Sequence, residues 1–307
     1  KLRVVVLPEL GGRIWSIVYK PRDRELLWQN PRVPPQKVPS GAVFDDVWCG
    51  GWEEMFPNAA PGALQGETYS DHGEVWPLTW ESEVRNTGGS LRLALQTSTP
   101  IRAASMEKHL TLREDAPCLE IVYTLRNHSA REMPYIFALH PAFAVTPACR
   151  LDLPAMQMDL EPSFPGTLTE TKPRFEWPYA TRRGEKVDLR TVYPATSGET
   201  FFLYGHNFKE GWSAITDTDE RLSWGLRFAP EFFRSCWVFA TYGGWRDSYA
   251  LLIEPSTAFP FQIERALALG RVQPLPSHGS VETAVRFQVQ ERLARVNGVG
   301  PEGAFEE

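Results

Sequence analysis

The sequence predicts an all-β protein, and three observations carry that prediction. Short runs that alternate apolar and polar residues, or stay apolar throughout, recur along nearly all of the 307 residues. Gly, Pro, Asn and Asp interrupt them at near-regular intervals, as turns between strands require. Helical signals are confined to Phe261–Leu269 and to the EFFR turn near Glu231–Arg234. Many short strands at such spacing mean a sandwich or a barrel. A hydrophobic content of 42% suffices for an extended core, so one domain is expected over residues 1–296.

Taken in order, LRVVVLP and GRIWSIVY are β-branched runs separated by Glu9-Leu10-Gly11. LTWESEVRN and SLRLALQTS flank Thr87-Gly88-Gly89, and SMEKHLTLRE and CLEIVYTLRN flank Asp115-Ala116-Pro117. MPYIFAL, ETFFLYG, RLSWGLRFA, SCWVFATYG, YALLIEPS and ETAVRFQVQ complete the predicted strands. Between them, Pro154–Gly198 is rich in Pro, Thr and charge and reads as an irregular surface excursion, whose Arg182, Arg183 and Lys186 could fold over a site. Residues 297–307, NGVGPEGAFEE, read as a flexible tail. There is no internal repeat.

Charge and cysteine usage narrow the function. A net charge of −6 without a basic stripe argues against a nucleic-acid partner and is compatible with a neutral polyol. The four cysteines, Cys49, Cys118, Cys149 and Cys236, are scattered without CxxC spacing, which indicates neither a zinc site nor a disulfide framework. Free thiols in a reducing cytoplasm are the simplest account. No apolar run of about 18 residues occurs, and no basic-then-apolar leader precedes LRVVVLP, so neither a membrane span nor a signal peptide is expected.

Chemistry concentrates in three segments. Glu254 sits inside the apolar run YALLIEPST, where lost hydration should raise its pKa toward the range of a general base. Alternatively it is a structural Glu at a strand end, satisfied by backbone N–H groups. His72 in SDHGEVW and His140 in FALHPAF lie at HG and HP steps, where a chain is expected to leave regular structure. Alone, each would read as a capped or core histidine; two of them with a semi-buried Glu form an acid/base set. His109, His128 and His278, in KHL, NHS and SHG, read as non-catalytic.

The order DHGEVW, ALHPAF, LLIEPSTAFP and ALALGRVQPLPSHGSVETAVRFQV resembles the aldose 1-epimerase (galactose mutarotase) superfamily, from LPELGGRIWSI nearly to the end of the chain. The resemblance implies a large antiparallel β-sandwich, the galactose-mutarotase-like supersandwich, with a sugar in a groove on one sheet. It implies an isomerase: Glu254 as the base at the anomeric hydroxyl, His140 as the acid at the ring oxygen, and His72 orienting or stabilising the developing charge. Asn58, in GGWEEMFPN, matches a family Asn, while Ala59 stands where an Arg is common. Arg13 in GGRI either replaces that Arg or is a surface cation on a strand. Gly205-His206 stands near the place of a substrate-contacting Asp, so His206 either takes over that contact or the ligand lacks the matching hydroxyls.

A pyranose has apolar faces and a hydroxyl rim, so Trp52 and Trp76 are further candidates for sugar contact. No metal, nucleotide or redox cofactor is needed, and the expected assembly is a monomer or homodimer. Two alternatives remain open: a non-catalytic carbohydrate-binding or sensing protein of the same fold, and a carbohydrate lyase or hydrolase using Glu53, Glu54 or Glu254. The last needs two carboxyl groups across one bond, whereas adjacent Glu53 and Glu54 would point to opposite faces of a strand.

Overall fold

The computed structural model describes residues 1–64, 66–164, 166–169, 172–182, 184–300 and 303–307. Arg183 of the predicted excursion lies outside them. The fold is all-β: among the described residues two large antiparallel sheets, of ten and eight strands, are accompanied by four two-stranded pairs, in agreement with the predicted sandwich. Contacts group the chain into two compact units: Lys1–Pro141 with Ser256–Val285, and Ala142–Pro255 with Arg286–Glu307.

In the first unit one sheet runs through strands Leu2–Leu7, Arg13–Tyr19, Trp52–Met55 and Ala138–Phe143. Ile14 pairs with Trp52, and His140 pairs with Glu53. The other sheet runs through Glu81–Asn86, Ser90–Ser98, Ala104–Arg113 and Cys118–Asn127. Met106 and Leu110 alternate on one face of Ala104–Arg113 with Lys108 between them, and all three are buried. Period-two alternation therefore turns that face inward.

Inside the unit the Lys108 ammonium lies 2.8 and 2.9 Å from the two Glu54 oxygens and donates to the Gly12 carbonyl at 2.8 Å. The Tyr123 hydroxyl donates to the same carboxylate at 2.7 Å. Lys108 and Glu54 are both fully buried, so each charge depends on this geometry for its solvation. Burial pushes the Glu54 carboxyl up, the Lys108 ammonium down and the Tyr123 phenol well up.

In the second unit the strands Tyr249–Ser256, Ser235–Tyr242, Glu199–His206, Gln157–Leu160 and Arg174–Glu176 follow one another in one sheet. Cys149–Asp152, Trp212–Asp217 and Leu222–Phe228 do so in the other. The predicted excursion is thus partly strand: Met158, on Gln157–Leu160, is fully buried, and Tyr179–Arg182 pairs with Glu185–Asp188. Short apolar alternation such as QMDL is masked in the sequence by its Pro- and Thr-rich surroundings. The predicted tail also folds back, with Gly298–Val299 pairing Phe305–Glu306. Phe305 packs on Trp212, Ala214 and Val296, and one buried aromatic ring outweighs the flexibility that its glycines suggest.

MPYIFAL divides into Met133–Pro134 and a strand that begins only at Ala138. Of the two predicted helices, the first is present as Ile263–Ala268, and Glu231–Phe232 form a turn. Phe44–Val47 forms a helical turn that the sequence did not suggest. No helix among the described residues is long and apolar enough to cross a membrane. The four cysteines are buried, and none of them forms a disulfide.

Candidate functional site

His72 and His140 meet in the first unit, their ring centroids 5.2 Å apart and their planes perpendicular. His72 stands in a left-handed turn at φ 58°, followed by Gly73 at φ 81°, as the HG step predicts. Glycine is required there, because a Cβ on residue 73 would come within 2.4 Å of the Phe56 carbonyl oxygen. The turn lets the His72 N–H reach the Ala59 carbonyl at 2.6 Å.

His140 departs from expectation. It lies within strand Ala138–Phe143, opposite Glu53, and does not mark an exit from regular structure. Pro141 continues the strand opposite Trp52, so the HP step here is a strand interior.

Each imidazole has a carboxylate at Nδ1. Asp71 Oδ1 lies 2.9 Å from His72 Nδ1, and Glu53 Oε1 lies 3.0 Å from His140 Nδ1. The Phe44 N–H donates to the other Asp71 oxygen at 3.2 Å, which ties the helical turn to the histidine loop. Burial pushes the Asp71 carboxyl up, but the hydrogen bond and charge of His72 and the backbone donors outweigh it and hold the group below its usual range.

Aromatic rings wall the pair. Phe44 stacks on His72 at 3.7 Å and meets His140 edge-on at 5.4 Å. Trp48 meets His140 at 5.8 Å.

Arg13 is neither a surface cation nor free to clamp a ligand with its whole guanidinium. Its side chain is 5% exposed, and Nη1 donates to Glu53 at 2.6 Å and to the Gly50 carbonyl at 2.6 Å. The opposite-face expectation for the Glu53-Glu54 pair is met: Glu53 faces His140, Glu54 faces Lys108.

The predicted sugar contacts Trp52, Asn58 and Trp76 are all buried. Trp52 is 0% exposed because strand alternation places it on the Glu54 side, in the core. Asn58 is equally buried and spends its amide N–H groups on the carbonyls of Ala60 and Ser70, bracing the loop that carries His72. Trp76 is buried as well, donating Nε1 to the Asp71 carbonyl at 2.9 Å and meeting Phe44 edge-on, so it supports the His72 platform.

Sequence reasoning missed Phe44, Trp48 and Asp71, and weighed Glu53 only as half of a carboxylate pair. Asp71 was legible as the residue before His72; nothing local distinguished Phe44. His109, His128 and His278 are exposed and stand apart from this cluster. Among the described residues no group of three or more His, Cys, Asp and Glu is arranged to hold a metal ion.

The second unit carries the other two candidates. Glu254 lies on strand Tyr249–Ser256, is 3% exposed, and its charge helps burial to raise the Cys236 thiol. His206 ends strand Glu199–His206, buried, with Nε2 3.2 Å from Asp159. Asp159 in turn receives two hydrogen bonds from Arg174, at 2.6 and 2.8 Å. His206 thus sits beside the Arg174–Asp159 ion pair.

With this geometry in hand, the fold is that of the galactose-mutarotase-like proteins. The structure is similar to a candidate aldose 1-epimerase from Klebsiella pneumoniae subsp. pneumoniae, with a TM-score of 0.74 and 13% identity, covering 95% of this chain and 78% of that one. It is also similar to a protein of Synechocystis sp. PCC 6803, with a TM-score of 0.71 and 17% identity over 95% of this chain and 92% of the other. A galactose mutarotase related enzyme from Lactobacillus acidophilus matches with a TM-score of 0.64 and 13% identity over 97% of both chains. No protein-family profile and no curated protein matches the sequence.

Proposed function

We propose that the protein is an aldose 1-epimerase, interconverting the α and β anomers of a free or phosphorylated aldose. The observation that supports this reading best is the pair of adjacent histidines, each with a carboxylate on Nδ1, in a chain with the mutarotase fold. Opening a cyclic hemiacetal requires a proton to leave the anomeric hydroxyl as another reaches the ring oxygen, because the charged intermediates are unstable in water. In this reading Glu254 takes the hydroxyl proton, His140 protonates the ring oxygen, and His72 stabilises charge that develops during opening. Rotation about C1–C2 then presents the other aldehyde face, and the same groups run in reverse.

No cofactor enters these steps. Each positioned acid or base contributes roughly 10²–10⁴ in rate. Two-dimensional exchange NMR on a panel of free and phosphorylated aldoses tests the reading, with anomer exchange above the spontaneous rate for at least one sugar as the expected result. Sugar binding without exchange would replace it with a carbohydrate-binding protein, and neither binding nor exchange would remove both.

A further inference from the structure

The two carboxylates of the histidine pair are built differently. Asp71 is adjacent to its histidine in sequence and its side chain is 23% exposed, whereas Glu53 comes from a neighbouring strand and is wholly buried. We propose that Glu53 is the positioning residue of this site: it accepts the Nδ1 proton of His140, fixes one tautomer and one ring orientation, and leaves Nε2 for the ligand. The proposal deepens the epimerase reading, since it rests on His140 being the acid.

The chemistry follows from what each group can do. An ionised carboxylate only accepts, and a neutral imidazole has one donor and one acceptor nitrogen. A proton on Nδ1, 3.0 Å from Glu53, therefore makes Nε2 the nitrogen that gains and loses the working proton. When His140 gives its Nε2 proton to a ring oxygen, it becomes a neutral imidazole that still holds Nδ1–H on Glu53, and Glu53 stays ionised throughout. Ring rotation is opposed by Phe44, Trp48 and His72, all edge-on to His140.

Arg13 completes the device. Burial alone would push the Glu53 carboxyl up; the Arg13 guanidinium at 2.6 Å and the His140 hydrogen bond outweigh it and hold the group below its ordinary range. Glu54, the next residue on the same strand and equally buried, goes the other way. Arg13 thus helps to keep Glu53 an acceptor despite its complete burial. Among the described residues of this unit, the charged and titratable groups around His140 include Glu53, Arg13 behind it, the buried Cys49 thiol beside both, and His72 with its own Asp71.

The test combines a measurement that needs no substrate with one that does. Long-range ¹H–¹⁵N correlation spectra of ¹⁵N-histidine-labelled protein, with His140 assigned by its loss in His140→Asn, should show a neutral ring protonated at Nδ1 and titrating at Nε2. A ring protonated at Nε2 when neutral overturns the proposal, whatever the protein's activity. In Glu53→Gln the amide can donate to Nδ1, so the tautomer should shift toward Nε2–H. Turnover should fall at least ~10²-fold, and up to ~10⁴-fold as when an amide replaces the carboxylate orienting another catalytic histidine, with KM within a few-fold. Glu53→Asp, which keeps an acceptor, should recover part of that loss. An unchanged tautomer in a folded Glu53→Gln, or a changed tautomer with unchanged turnover, also overturns the proposal. If the variant does not fold, the titrating nitrogen of the unmodified protein decides alone. Absence of anomer exchange in a wild-type protein that still shows the Nδ1–H tautomer would instead count against the epimerase reading.

Discussion

Replacing Lys108 by Met removes the cation that contacts both oxygens of the fully buried Glu54. Glu54 would keep the Tyr123 hydroxyl, 2.7 Å away, and lose the ammonium that contacts both of its oxygens; the Gly12 carbonyl would lose its donor at 2.8 Å. Breaking a buried pair from one side costs about 3–5 kcal/mol, so urea unfolding at pH 7 should show a loss of that size. The loss should also depend on pH. Burial already raises the Glu54 carboxyl, and without Lys108 it rises further, so the folded variant retains a proton that the unfolded chain releases near the ordinary value of about 4.3. A group with a raised folded pKa contributes stability below its unfolded pKa and loses it as pH rises toward the folded value. Measured against the wild type, whose Glu54 is itself raised, the deficit should therefore be smallest in acid and grow by up to ~1.4 kcal/mol per pH unit between the two folded values, until Glu54 ionises in the variant as well. Adding Glu54→Leu should restore part of the stability, leaving a cost of about 1–3 kcal/mol for each of the two groups left without this partner, the Tyr123 hydroxyl and the Gly12 carbonyl. A single variant that loses less than ~1 kcal/mol at pH 7, or a deficit that does not vary with pH, would refute the reasoning.

Three further outcomes are expected. Glu254→Gln keeps the size of the side chain but cannot accept the anomeric proton, so exchange should fall at least ~10²-fold while sugar affinity, followed by titration calorimetry, stays within a few-fold. Trp76→Ala should lower turnover more than affinity, because Trp76 braces Asp71 and Phe44 under His72; loss of affinity alone would mean that the ring contacts sugar directly. Gly73→Ala meets both a left-handed backbone and the Phe56 carbonyl, and should destabilise by more than ~1 kcal/mol in thermal unfolding; wild-type stability would show that the His72 turn yields to a side chain at residue 73.

The all-β class, most strands and the candidacy of His72 and His140 as chemically able residues were legible in the amino-acid order. Period-two alternation and turn residues are local signals, and the motif order pointed to a known architecture. What each side chain faces was not local. Trp52 and Glu53 are neighbours in sequence, yet alternation buries one in the core and turns the other to a histidine far along the chain. Asn58 matched a family motif but is spent on backbone carbonyls, and Arg13 read equally well as a ligand clamp or a surface charge until its partner came from another strand. Gln157–Leu160 and Phe305 looked irregular because their order is conferred by strands and rings distant in sequence. The sequence by itself determined which residues were chemically able to act. Only the tertiary structure decided which were held against one another, because burial and hydrogen-bond partners are set by strands that meet across the fold.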